Sequence, residues 1–270
     1  MMMMRQVVVG MMVAAWLVVG VAAVGAQPSK SVLAYAAFGM QRVSVGSKAR
    51  VTGDVGCLFD ELSIGQGTRV TGRGAAPTIV LRKSARASGG YFCVTLEGSA
   101  DTCMPLPNPL IDGPAIVLAS PGNLDVSASR HTKAQQALAA GAYGTLSVGT
   151  AAQVALAGGS YQFESIDVRS RAKMTCLAAC DVTVRTTVKV GQAARVGAGD
   201  GVPASGVVFN VAAQGERTAF DAKNRATIAG TIYAPSAEVK LGSAVKLTGA
   251  LVGDSVTIGP RAHLTGPGGT

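Results

Sequence analysis

Seven segments of this chain, laid beneath one another, share one template: apolar, any, apolar, usually Gly, two spacers, often Ala, often basic, apolar, polar, Gly. They begin at Val43 (VSVGSKARVTGDV), Leu62 (LSIGQGTRVTGRG), Ile79 (IVLRKSARASGG), Ile166 (IDVRSRAKMTC), Val188 (VKVGQAARVG), Val239 (VKLGSAVKLTGAL) and Val256 (VTIGPRAHLTGPG). Successive starts differ by 19, 17, 22 and 17 residues. A unit of that length cannot bury an apolar face alone, so a sustained period implies that the units stack.

Alternation at Val43, Val45 and Val51, or at Val239, Leu241 and Leu247, is the period-2 pattern of short half-buried strands. Gly between them permits a bend and close backbone approach, so the chain can turn a corner onto another face. Stacked coils then bury Val, Leu, Ile and Ala against equal positions above and below. The expected fold is all-β, a β-solenoid with about 17–22 residues per rung and a rod on the order of 50 Å long. A leucine-rich repeat has a similar period but a different Leu and Asn pattern. A hairpin-built sandwich remains the alternative, although its turn signals would recur every 8–12 residues or so.

Composition fits such a coil. The 270 residues are 48% hydrophobic with only 4% aromatic, so Ala and Val supply the apolar share and a disordered chain is excluded. The 35 Gly follow no collagen period. Residues 1–26 stand apart: Arg5 precedes an apolar run from Val7 to Val24, and small residues follow, the layout of a secretory signal peptide. Cleavage is expected between Ala26 and Gln27. An uncleaved signal anchor is the alternative, since the run approaches a membrane span. Either way the expected setting is secreted, extracellular or periplasmic, and associated with the cell surface; no second long apolar run follows.

Five cysteines suit an oxidising compartment: Cys57, Cys93, Cys103, Cys176 and Cys180. Cys93 with Cys103, and Cys176 with Cys180, read as local staples, leaving Cys57 odd. Zinc is the rival reading, but His131 and His263 are remote from both pairs and no Cys-x-x-Cys occurs. No metal and no cofactor is expected.

Residues 101–144 break the pattern with Pro105, Pro107, Pro109, Pro114 and Pro121. Thr132 and Gln135 resemble a capping box and Gly141 a stop, so a short helix is expected over 133–140. The expected organisation is N-terminal rungs over 27–100, a Pro-rich insertion over 101–144, and C-terminal rungs over 145–270, in one continuous body.

Ala139–Val168 (AAGAYGTLSVGTAAQVALAGGSYQFESIDV) followed by Ala226–Gly253 (ATIAGTIYAPSAEVKLGSAVKLTGALVG) resembles exported bacterial surface proteins with G-x-Y-G-x-L-x-V, G-G-x-Y-x-F and I-Y-A-P-x-A patterns. These stretches are also similar to the bactofilin-like, polymer-forming β-helical family. Tyr143, Tyr161, Phe163, Tyr233, Ala234 and Pro235 carry the likeness, which covers about Ala139–Gly266. It implies a right-handed parallel β-helix and a cell-envelope setting, and no reaction. Cytoplasmic bactofilins lack a signal peptide, so their cytoskeletal role does not carry over.

One column of the template is chemical. A basic or imidazole group recurs just before the second apolar position: Arg50, Arg69, Arg86, Lys173, Arg195, Lys246 and His263. Equal positions stack in a solenoid, so these are expected to form a positive ridge on a chain whose net charge is +9. A solvated edge that resists aggregation is one reading of it. Binding of an acidic polysaccharide, an envelope polymer or nucleic acid is the other, nucleic acid being weakest because no aromatics accompany the cations. The 15 acids are scattered, with no carboxylate pair suited to glycoside chemistry and no nucleophile or phosphate-loop motif, so no catalytic residue is expected. Thr52, Thr71, Thr248 and Thr265 form one sparse column, short of a flat ice-binding face.

The expected function is a non-enzymatic structural or adhesive envelope protein that associates with itself end to end. The last rung runs almost to residue 270, so its strand edges are expected to be open. A monomeric module binding an anionic polysaccharide or envelope polymer is the second reading, and a polysaccharide-active enzyme the third.

Overall fold

The computed structural model describes residues 31–99, 101–106, 121–129 and 137–267. Among these, every strand ladder is parallel, and the chain winds into a parallel β-helix of about 10 turns. One turn comprises Ser165–Val168, Lys173–Cys176 and Cys180–Val184, and the next Val188–Val190, Arg195–Ala198 and Val207–Val211. Each strand lies on its equivalent one turn on: Ile166 opposite Val188, Met174 opposite Val196, Val182 opposite Phe209. These three faces are called first, second and third below. The second face is a separate 10-stranded sheet. The other two are counted as a single 19-stranded sheet, because Ala37–Val45 and Leu251–Ile258 bend across both.

Alternation decides what lies inside. Val43, Val45, Val51, Leu62, Ile64, Val239, Leu241 and Leu247 are all buried, and stacked apolar rows fill the coil. Inside the coil Tyr161 and Phe163 stack with centroids 6.1 Å apart, and Phe209 meets Phe220 edge-on at 6.1 Å. The corner between first and second faces explains the rest of the template. Its second spacer is left-handed in almost every turn, at Lys48, Ser84, Ala151, Arg171, Ala193, Arg225, Ala244 and Arg261. That conformation costs about 1–2 kcal/mol per non-glycine residue. A bond from its N–H to the adjacent turn offsets the cost, as in Arg171 to Gln192 and Arg225 to Ser243. The template Gly just before is needed for space: a Cβ on Gly65 would lie 2.7 Å from the carbonyl carbon of Gly46 in the next turn.

The order of the rungs departs from the order of the chain. The strand Leu251–Ile258 does not end the rod: it pairs on one side with Thr231–Ala234 and Glu238–Leu241, and on the other with Ala37–Val45. His263–Thr265 lies likewise between Lys246–Thr248 and Arg50–Thr52. The N-terminal rungs therefore stack onto the C-terminal rung, and Thr265 leads into the place where Ala36 begins. Gly46 donates to the Ile258 carbonyl at 2.7 Å, and Gly266 to the Thr52 carbonyl at 2.7 Å, across this seam. The expectation of an open C-terminal edge is corrected: parallel ladders bond any matching edge, and this edge is taken.

The outermost strands on the first face are Thr95–Glu97, on Thr78–Leu81, and Val126–Ala128, on Thr145–Val148. Next to the former, Met104 bridges Phe92, and a disulfide joins Cys93 to Cys103. The expected helix over 133–140 is corrected in its second half. Ala137–Leu138 is a strand on Ala155 and Leu156, while residues 133–136 lie outside the described residues. An isolated helix of that length is marginal, and the edge of Gln153–Leu156 offers ladder bonds instead. The expected signal peptide also lies outside the described residues.

A second small core covers the outside of the third face. Tyr233, Val252, Phe38, Ala75 and Phe92 occupy outward positions there, yet all are buried. Val32, Leu33 and Tyr35 pack over them from a short turn capped by the Ser31 hydroxyl, which accepts from Leu33 N–H at 3.2 Å. Tyr233 thus packs outside the coil, and Tyr161 and Phe163 inside it.

Cys176 and Cys180, expected to be bridged, are buried free thiols, as is Cys57. They sit on the second-face and third-face strands of one turn, on either side of a corner. Burial pushes all three thiol pKa values up from 9.0, and the phenols of Tyr35, Tyr91 and Tyr161 up from 10.0. The unfolded chain releases these protons first, so their stabilisation is complete below the unfolded values and is lost as pH climbs towards the folded ones. Urea midpoints are expected to hold to about pH 8 and to fall above it. Cys57→Ala, Cys176→Ala and Cys180→Ala together should lessen the fall; equal midpoints at pH 7 and 10.5 would contradict the burial of these groups.

Candidate functional site

All seven residues of the expected ridge stand in one column on the outside of the second face. Lys173 is opposite Arg195, Arg195 opposite Thr227, Thr227 opposite Lys246, and Lys246 opposite His263. The seam carries the column on: His263 is opposite Arg50, Arg50 opposite Arg69, and Arg69 opposite Arg86. Steps of about 4.8 Å make this eight-rung column roughly 34 Å long. The strands hold it outward because their alternate residues, Met174, Val196, Ile228, Leu247, Leu264, Val51 and Val70, are locked in the core.

The column has two weak places, Thr227 and His263, and the adjoining corner supplies a cation at both. Arg225 and Arg261 occupy the left-handed corner position two residues earlier, as do Arg171 beside Lys173 and Lys48 beside Arg50. Every turn from Lys173 to Arg86 thereby carries at least one permanent positive charge. Sequence reading missed these four corner residues, although they occupy one spacer position of the same template. Their spacing of two residues was the available signal.

No second-face strand contains Asp or Glu. On the first face, outward charges alternate instead: Asp167 is opposite Lys189, Lys189 opposite Asp221, and Asp221 opposite Lys240. Ion pairs there include Lys223 with Asp221 at 2.7 Å, Lys240 with Glu238 at 2.8 Å and Arg42 with Asp60 at 2.8 Å. Among the described residues no ridge or corner cation named above is in an ion pair. Neighbouring cations about 4.8 Å apart fall inside the Debye length of ~8 Å at physiological salt, so their mutual repulsion is only partly screened. A linear polyanion would relieve it and release the counterions.

Beside the cations runs a row of small residues, Thr175, Gly197, Ala229, Thr248, Thr265 and Thr52, paired in register. Where that row shrinks to Gly197 and Ala229, the face dips into a hollow of about 140 Å³ bordered by Lys173, Arg195, Thr175 and Thr227, with Asp200 at its rim. Gly197 has φ +118, and a Cβ there would meet the Ala229 backbone, so the dip is built into the chain. On the third face a larger open hollow of about 370 Å³ is lined by Ser160, Asp181, Val208 and Asn210. Asn210 donates to Asp181 at 2.7 Å, and its buried Oδ1 has no hydrogen-bond partner among the described residues. Among the described residues no group of three or more His, Cys, Asp or Glu is placed to hold a metal ion.

Fold and site together define a parallel β-helix with one predominantly cationic face. Residues 153–265 match the model of a family described as a domain of unknown function (DUF7305). The match ends at Thr265, on the C-terminal side of the seam, and leaves the N-terminal rungs outside it. No curated protein matches the chain. No solved structure matches it.

Proposed function

We propose that this is an exported, non-enzymatic protein of the cell envelope or surface that holds a linear acidic polymer, above all an acidic polysaccharide, along its second face. The series of cations over eight turns, on strands that carry no Asp or Glu, carries this reading. Regularly spaced cations on a rigid sheet suit a polymer with regularly spaced anions, and the hydroxyl row beside them suits its hydroxyl groups. The strand edges of that face bear no aromatic ring on which bases could stack, which favours a glycan over nucleic acid. The leader-like N-terminus and the Cys93–Cys103 disulfide support an exported setting.

The test is a titration of the chain from Gln27 with polygalacturonate, and separately with single-stranded DNA, over a salt series. Binding to polygalacturonate that weakens linearly in log salt is the expected result. Binding to DNA alone would move the reading to nucleic acid, and binding to neither at low salt would overturn it.

A further inference from the structure

The seam is a joint that a second copy of this chain can complete. Its ladder is made like every other in the rod: Val43 faces Val256, Ser44 faces Thr257, Val45 faces Ile258, and the corner bond from Arg261 N–H to the Ser47 carbonyl continues the row. No disulfide crosses it, since Cys93 and Cys103 both belong to the N-terminal end. The two sides are joined through the chain only by residues between Glu97 and Val126. Those two residues belong to the outermost first-face strands at opposite ends of the rod. Eleven stacked strands separate these ends by about 48 Å. Gly122 and Leu124 already lie against Ala142 and Gly144 at the far end, and the fifteen residue steps from Leu106 to Pro121 can reach at most about 54 Å, little more than the length of the rod.

We propose that the N-terminal rungs, residues 37–97, exchange between molecules: those of one copy stack on the Leu251–Ile258 and His263–Thr265 rung of another. Every bond of the seam is retained in the exchanged form, and the connection need no longer return along the same rod. Reciprocal exchange gives a closed dimer; exchange passed onward gives a chain of linked rods. Because Arg50 follows His263 across the seam, an exchanged rod still presents the full cationic column, now drawn from two molecules. This inference stands on the seam and the connection alone and is independent of what the cationic face binds.

The chain from Gln27 is unfolded with its disulfide intact and refolded at about 1 µM and about 100 µM, then sized by light scattering. A tether of this kind gives closure an effective concentration near 1 mM, so about one molecule in ten is expected to exchange at the higher concentration and about one in a thousand at the lower. Ser44→Cys with Thr257→Cys, in a chain with Cys57, Cys176 and Cys180 replaced by Ala, places two thiols in register across the seam. On oxidation the monomer should acquire a bond within the chain, and the oligomer bonds between chains. Oligomer that does not rise with refolding concentration, or that carries only bonds within chains, overturns the proposal. Deleting residues 108–117 leaves five residue steps between Leu106 and Pro121, roughly 18 Å, too short to close the seam in one molecule. That variant is expected to be oligomeric at every concentration, and a folded monomer would equally overturn the proposal.

Discussion

Replacing Arg50, Arg69 and Arg195 together by Ser is expected to weaken polygalacturonate binding at low salt by about 100-fold. A cation close to an anionic surface contributes about 1 kcal/mol, so three contribute about two decades of affinity. The salt dependence should become shallower by roughly three ion equivalents, because that many fewer counterions are released. All three side chains are exposed and make no ion pair among the described residues, so the fold should be unaffected. The informative control removes the same charge elsewhere. Arg42, Lys223 and Lys240 are paired with Asp60, Asp221 and Glu238, away from the second face. Substituting these three by Ser should change binding less than about threefold if placement governs it. Equal losses in the two triple variants would reduce the column to a contribution to net charge.

Phe209→Ala is expected to cost about 3–5 kcal/mol of stability, the range for emptying a buried phenylalanine site. The ring is fully buried, lies between Val182 and Ile232 in register, and meets Phe220 edge-on. Backbone ladders above and below hold the turn spacing, so the coil cannot collapse into the void. Urea unfolding reads this as a lower midpoint at an unchanged slope. Phe59→Ala, at a side chain 63% exposed, should fall within about 0.5 kcal/mol of the parent. A Phe209→Ala loss below about 1 kcal/mol would mean that the coil interior is not packed as described.

The interior and the ridge were legible for the same reason. A solenoid returns each template position to the same place once per turn, so reading down one alignment column reads along one face. Val43, Val51 and Leu247 point inward, and Arg50, Lys173 and Lys246 line up, because the period-2 pattern and the repeat settle both. The corner cations Lys48, Arg171, Arg225 and Arg261 were not legible because the same spacer column holds Ala, Ser or Gly in the remaining turns, and its left-handed geometry appears only once the corner is built. The third-face cover was not legible at all: nothing near Tyr233 indicates that Val32 and Tyr35 will bury it. Cys176 and Cys180 lie on strands either side of a corner with their buried thiols in hydrogen-bond contact, so spacing alone revealed their proximity but not that they are unbridged.

By itself, then, the sequence determined the coil, its period, what it buries and which side chains share its cationic edge, since all of these are local patterns repeated each turn. Only the tertiary structure decided the order in which the turns stack. Each rung edge presents the same parallel row of donors and acceptors and nearly the same Val, Gly, Ala and Arg template, so no local feature tells Ala37–Val45 which rung to join. That choice is made by the long-range pairing of Ala37–Val45 with Leu251–Ile258, and it places Arg50 beside His263 and makes one column of two.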